Sequence, residues 1–149
     1  MLFGANAVVI SALLLTCVSA SASSPRNGST IVATLQVKAE QAQPRDSVFL
    51  YAELVSQMTD LAGQQIKAGD SVKASQTIAL VQLYAEKISR GIADDSKKLK
   101  SAELLIQRTS IHLKDILGEA SYEDRPSLEA TLKQLNQVQV QLMEQVFKK

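Results

Sequence analysis

The chain has 149 residues, which is enough for one domain with a single core. Its 16 lysines and arginines nearly balance its 15 aspartates and glutamates, so no strong net field draws it to nucleic acid or to an anionic membrane. Aromatic residues make up 4% and tryptophan is absent, which disfavours surfaces that stack on bases.

The N-terminus has the pattern of an export signal. Residues 1–22 contain no charged side chain, and an apolar run within them, about 12 residues long, suits a signal peptide but not a membrane span. Small residues near position 20 predict cleavage that leaves Ser21 or Ser23 as the first residue of a periplasmic or secreted protein. The alternatives are a retained membrane anchor, or lipidation of Cys17, the only cysteine, because residues 14–17 are similar to a bacterial lipobox.

Residues 23–45 are predicted to be a flexible linker or an arm packed on the helices. The stretch 23–29 is rich in polar, turn-forming residues. Ile31, Ala33, Leu35 and Val37 then alternate as in a strand, but one isolated strand has no pairing partner.

A first amphipathic helix is predicted over about 46–68. Its apolar positions recur at alternating spacings of four and three, which places them on one helical face. They are Val48, Ala52, Val55, Thr59, Ala62 and Ile66. Gly69 follows as the residue type that most readily ends a helix in the left-handed conformation.

Residues 71–117 keep the same alternation without interruption. Only Asp95 and Thr109 are polar on this face between Ala74 and Ile116. This regularity favours one long helix, about 70 Å at 1.5 Å per residue. The alternative is a pair of helices that fold back on each other near 91–96.

A last helix is predicted over 124–147, with Pro126 in its first turn and leucines and valines along one face. The fold class is therefore all-α. We expect an antiparallel bundle of three to four helices over residues 46–149, with coiled-coil-like spacing in its seams.

Two resemblances accompany these elements. Within 54–90, Gly69-Asp70 followed by Ala74 resembles the turn and small packing residue of a single tetratricopeptide-type hairpin. The order of a signal, a helical hairpin, the turn 121–125 and a C-terminal amphipathic helix is also similar to small exported bacterial proteins of unknown function. Neither resemblance implies an activity.

No pattern of catalytic or metal-binding residues is present in the sequence. His112 is the only histidine, and it has neither the cysteine partners nor the spacing typical of a metal site. The sequence therefore predicts a non-enzyme without cofactor or metal, and no pattern identifies a small-molecule substrate.

A second apolar stripe on the last helix is the candidate partner contact. Asn136, Val140, Met143 and Phe147 follow 4-3-4 spacing beside the core face. They are predicted either to pack on another helix of the bundle or to contact a partner or a second copy.

The sequence as a whole favours a non-catalytic exported interaction or scaffold module. The alternative is a periplasmic chaperone-like or stress-response protein. A protein partner or self-association is expected, nucleic acid is not, and contact with a membrane is expected only through an uncleaved or lipidated N-terminus.

Overall fold

The computed structural model describes residues 25–148, with side chains from Gly28 onward. This part of the chain is helical and has no strand, which confirms the all-α class. It contains five helices where three to four were predicted. They are α1 (Pro25–Glu40), α2 (Pro44–Lys67), α3 (Ser71–Gly91), α4 (Leu99–Glu119) and α5 (Arg125–Phe147). The predicted signal segment, with its cleavage sites and Cys17, lies outside the described residues.

Helices α2 and α3 form a hairpin whose turn follows the predicted chemistry. Gly69 has a φ of +75°, in the left-handed region where glycine has no side chain to clash. The carboxylate of Asp70 then accepts a hydrogen bond from the backbone N–H of Lys73 at 3.1 Å and caps α3. Bonds to the Lys73 ammonium and backbone N–H also lower the pKa of Asp70. The helix break at this turn therefore has a local cause.

Four helices form a ring in the order α2, α3, α5, α4, and each packs on the two beside it. The hairpins α2–α3 and α4–α5 are antiparallel, as predicted. Between the hairpins the helices run parallel: a Cβ on Gly63, late in α2, would lie 2.8 Å from Ile116, late in α4. The ends of α3 and α5 likewise correspond: Ser71 donates a hydrogen bond to Asp124 at their starts, and the Gln145 amide donates to Asp94 near their ends. The prediction of a purely antiparallel bundle is thus wrong where one hairpin meets the other.

The core is a continuous apolar cluster along the inside of this ring. Its fully buried members include Leu54, Met58, Ile88, Leu113 and Leu135. Buried threonines on three of the helices pair locally, because the hydroxyl of each donates to the carbonyl four residues earlier. Their burial therefore leaves no donor without an acceptor.

The prediction of a single helix over 71–117 is wrong, and the alternative of two helices that fold back on each other is confirmed. Residues 92–98 separate α3 from α4. The Ser96 hydroxyl accepts a hydrogen bond from the Ala93 N–H at 3.0 Å, and the Lys97 N–H donates to the Arg45 carbonyl at 2.7 Å. A straight helix over 71–117 would extend past α2 and leave much of its apolar face in water. The fold-back places α4 on α2 instead, and Asp95 becomes exposed.

Residues 25–40, which lie in the segment predicted to be a flexible linker or a packed arm, form the helix α1 instead of a linker. They pack on α2, as the arm alternative proposed, through Gly28, Val32, Leu35 and Ala39. These four residues follow 4-3-4 spacing, which is present in the same segment as the strand-like alternation. As a helix, the segment can bury all four of them against α2.

A buried tyrosine connects the end of α1 to α3. Burial and a hydrogen bond to Glu40 raise the pKa of Tyr84 to about 12. Its neutral hydroxyl donates to a carboxylate oxygen of Glu40 at 2.8 Å. The C-terminal end of α1 is therefore attached to the bundle by a side-chain hydrogen bond as well as by packing.

Candidate partner-binding face

The histidine of the chain lies beside an aspartate of a neighbouring helix and not within a metal-binding cluster. His112 Nε2 lies 3.1 Å from Asp60 Oδ1, and both side chains are about half exposed. No three histidine, cysteine, aspartate or glutamate residues between positions 25 and 148 lie close enough to hold a metal ion. The pair of His112 and Asp60 therefore joins α4 to α2 as a surface contact.

A groove of about 580 Å³ runs between the start of α1 and the α2–α3 turn. Its walls include Ser29, Leu61 and Gln64, and it ends at the Asp70–Lys73 ion pair. Asp70 already accepts a hydrogen bond as the cap of α3. The charged residues of the groove therefore stabilise the α2–α3 turn.

The sequence-predicted contact residues lie on the outer surface of α5. Val140 is 50% exposed, Met143 is 40% exposed and Phe147 is 77% exposed, and Asn136 beside them is exposed as well. Among the described residues, no other helix of the bundle therefore covers these side chains. They are brought together on one face, as the 4-3-4 spacing predicts.

Helix α4 adds two residues to this surface that the sequence analysis did not single out. Leu104 is 41% exposed and Ile111 is 59% exposed, seven residues apart and so on one helical face. The Gln139 side-chain amide donates to the Glu103 carboxylate at 3.1 Å, which fixes how α4 lies beside α5. Leu104 consequently lies at about the level of residue 138 of α5, and Ile111 at about the level of residue 131.

We define the α4–α5 face by its five exposed apolar side chains: Leu104, Ile111, Val140, Met143 and Phe147. The seven-residue spacing of Leu104 and Ile111 was the signal available in the sequence. The single seam predicted for 71–117 does not include either residue.

Polar residues surround the α5 half of this face. Some are uncharged and others carry charges of alternating sign, and they are Asn136, Gln137, Gln141, Glu129, Lys133 and Glu144. An apolar centre with a polar rim is the composition of a specific protein interface. An open depression of about 920 Å³ runs along this half of the face, and its described lining residues all belong to α5. A depression this open suits a protein surface better than an enclosed small ligand.

Comparisons of the chain with family models, with curated proteins and with solved structures find no match. Among residues 25–148, no helix has the length and apolar character required to cross a membrane.

Proposed function

We propose that the protein is a non-catalytic exported interaction module that binds a protein partner through the α4–α5 face. One observation carries the proposal: Val140, Met143 and Phe147 are exposed on the face where 4-3-4 spacing aligns them, and two apolar residues of α4 extend it. Exposing five large apolar side chains to water has a free-energy cost that burial against a partner removes.

The distribution of exposed apolar residues favours a defined partner over unfolded clients. A protein that holds unfolded chains presents a broad apolar concavity, whereas the depression along α5 is lined mostly by charged and amide side chains. The rim of glutamines and alternating charges adds hydrogen-bonding specificity that a client-holding surface does not need. Export rests on the signal pattern of residues 1–22 and forms part of the same proposal.

Two charge insertions test this face. Val140→Glu and Phe147→Glu place a carboxylate in the centre and at the end of the α5 stripe. We expect each to abolish self-association and capture of a partner from envelope extract, because a charge buried in an apolar contact lacks a counter-charge. The melting temperature should stay within about 2 °C, since both positions are exposed in the isolated chain.

The matched control is Val37→Glu on α1. Val37 is 55% exposed, close to the value of Val140, but α1 packs on α2 and lies apart from α5. It should leave both association and capture unchanged. If the two α5 variants bind as well as the control does, the α4–α5 face is not a binding site and the proposal fails.

A further inference from the structure

Four charged residues on α5 and at its end alternate in sign along the helix. Glu129 and Lys133 lie near its start, and Glu144 and Lys148 lie near its end; all four are exposed. At 100° per residue they share an arc of roughly 100° that also contains Val140. The order acid, base, acid, base becomes base, acid, base, acid when the helix is read backwards. Two copies of α5 that run in opposite directions therefore have complementary charges.

The spacing of these charges fixes the register of such a pairing. A two-fold axis midway between residues 138 and 139 places Lys133 opposite Glu144 of the second copy, and it brings Glu129 to the level of Lys148. Each contact occurs twice, because a two-fold interface repeats every pair. In a parallel pairing every charge would face its own copy, so that lysine would meet lysine and glutamate would meet glutamate.

The apolar residues agree with the same register independently. Phe147 is placed opposite residue 130 of the second copy, close to the level of Ile111 on the neighbouring α4. Val140 is placed opposite residue 137, close to the level of Leu104. The register that pairs the charges thus also brings the exposed apolar side chains of α5 against those of α4.

We infer that the partner of the α4–α5 face is a second copy of this chain, bound by antiparallel pairing of α5 with α5 about a two-fold axis between residues 138 and 139. This inference rests on the proposed function, since it names the partner of the same face. In this register Met143 is level with residue 134 of the second copy.

Single charge reversals test the pairing by sedimentation equilibrium of the whole chain. Lys133→Glu places glutamate opposite Glu144 at both symmetry-related sites, and Glu144→Lys places lysine opposite Lys133. We expect each to weaken the dimer about tenfold, because two exposed attractive pairs become repulsive. Lys38→Glu, which reverses an exposed lysine on α1, is the control and should leave the dissociation constant unchanged.

Complementation separates this geometry from other arrangements. The double variant Lys133→Glu/Glu144→Lys should recover the dissociation constant of the original chain. An equimolar mixture of the two single variants should recover it as well, because positions 133 and 144 then carry opposite charges at both contacts of the mixed dimer. A parallel dimer would show no effect of the single reversals, and that result would overturn the antiparallel register.

A monomeric chain would refute the inference and leave the proposed function intact. If the original chain stays monomeric up to about 1 mM, the limit of ordinary weak association, the second copy is not the partner. A different protein captured by the original chain but not by Val140→Glu would then uphold the binding face while refuting self-association. If association occurs but neither Val140→Glu nor the reversals weaken it, both the face and the register are wrong.

Discussion

Helix α5 has two apolar stripes with similar spacing, of which one is buried and the other is exposed. Leu128, Leu135 and Leu142 on the first are at most 1% exposed, whereas Val140 and Phe147 on the second are 50% and 77% exposed. The residue types do not distinguish the stripes. The neighbours do: α5 packs on α3 and α4, and no other described helix covers the side that faces away from both. Spacing shows which residues share a face, and the packing of other helices determines whether that face is buried.

Substitutions at Leu135 and Val140, one residue from each stripe, should show the largest difference in their effect on the free energy of unfolding. Leu135→Ala should lower the free energy of unfolding by about 2–5 kcal/mol, because it removes buried methyl groups and leaves a cavity. Val140→Ala should change it by less than about 0.5 kcal/mol. Urea unfolding at a concentration that keeps the chain monomeric measures both. Equal losses at the two positions would show that the second stripe is covered within the monomer.

A smaller difference is expected between two glutamines of α5. The Gln134 side-chain amide donates to the backbone carbonyl of Gln82 at 2.9 Å and links α5 to α3. Gln134→Ala should lower the free energy of unfolding by about 1 kcal/mol, the net value of such a bond. Gln137→Ala, on the exposed rim, should be neutral or slightly stabilising in urea unfolding, since alanine has the higher helix propensity. If Gln137→Ala costs as much as Gln134→Ala, the rim glutamines stabilise the monomer and the contrast disappears.

The smallest effect on the free energy of unfolding is expected at Asp95, which the periodicity predicts to be in the core and the structure shows to be exposed. Its heptad position places it in a core seam, and a continuous helix there would be stabilised by Asp95→Leu. In the structure Asp95 is exposed between α3 and α4, so the substitution should change the free energy of unfolding by less than about 0.5 kcal/mol. Thermal unfolding monitored by circular dichroism measures this, and a clear gain in melting temperature would indicate that the seam is continuous.

The elements that were predicted well have local determinants. The α2–α3 turn is set by Gly69 and Asp70, which supply a left-handed backbone and a cap within a few residues of each other. Helix α1 is difficult to predict because the strand-like alternation that includes Ile31 overlaps the helical spacing of Val32 and Ala39. Both patterns exist in the sequence, and only contact with α2 decides which residues are buried.

Part of the candidate site could be predicted from the sequence in the same way. Val140, Met143 and Phe147 were identified from spacing alone, because all three belong to one helix. Leu104 and Ile111 join them only because α4 folds back at 92–98 and lies antiparallel to α5, which a pattern along the chain does not encode.

Periodicity and local chemistry along the chain were enough to predict the all-α class, the α2–α3 turn, the last helix and the residues that share each helical face. These features depend on interactions between residues at most a few positions apart, where spacing translates directly into geometry. Three other features required the packed bundle: the division of 71–117 into two helices, the parallel arrangement of the two hairpins, and the exposure of the second stripe of α5. They depend on which faces meet across long separations in sequence, where several arrangements satisfy the same periodicity and the most complete burial selects one.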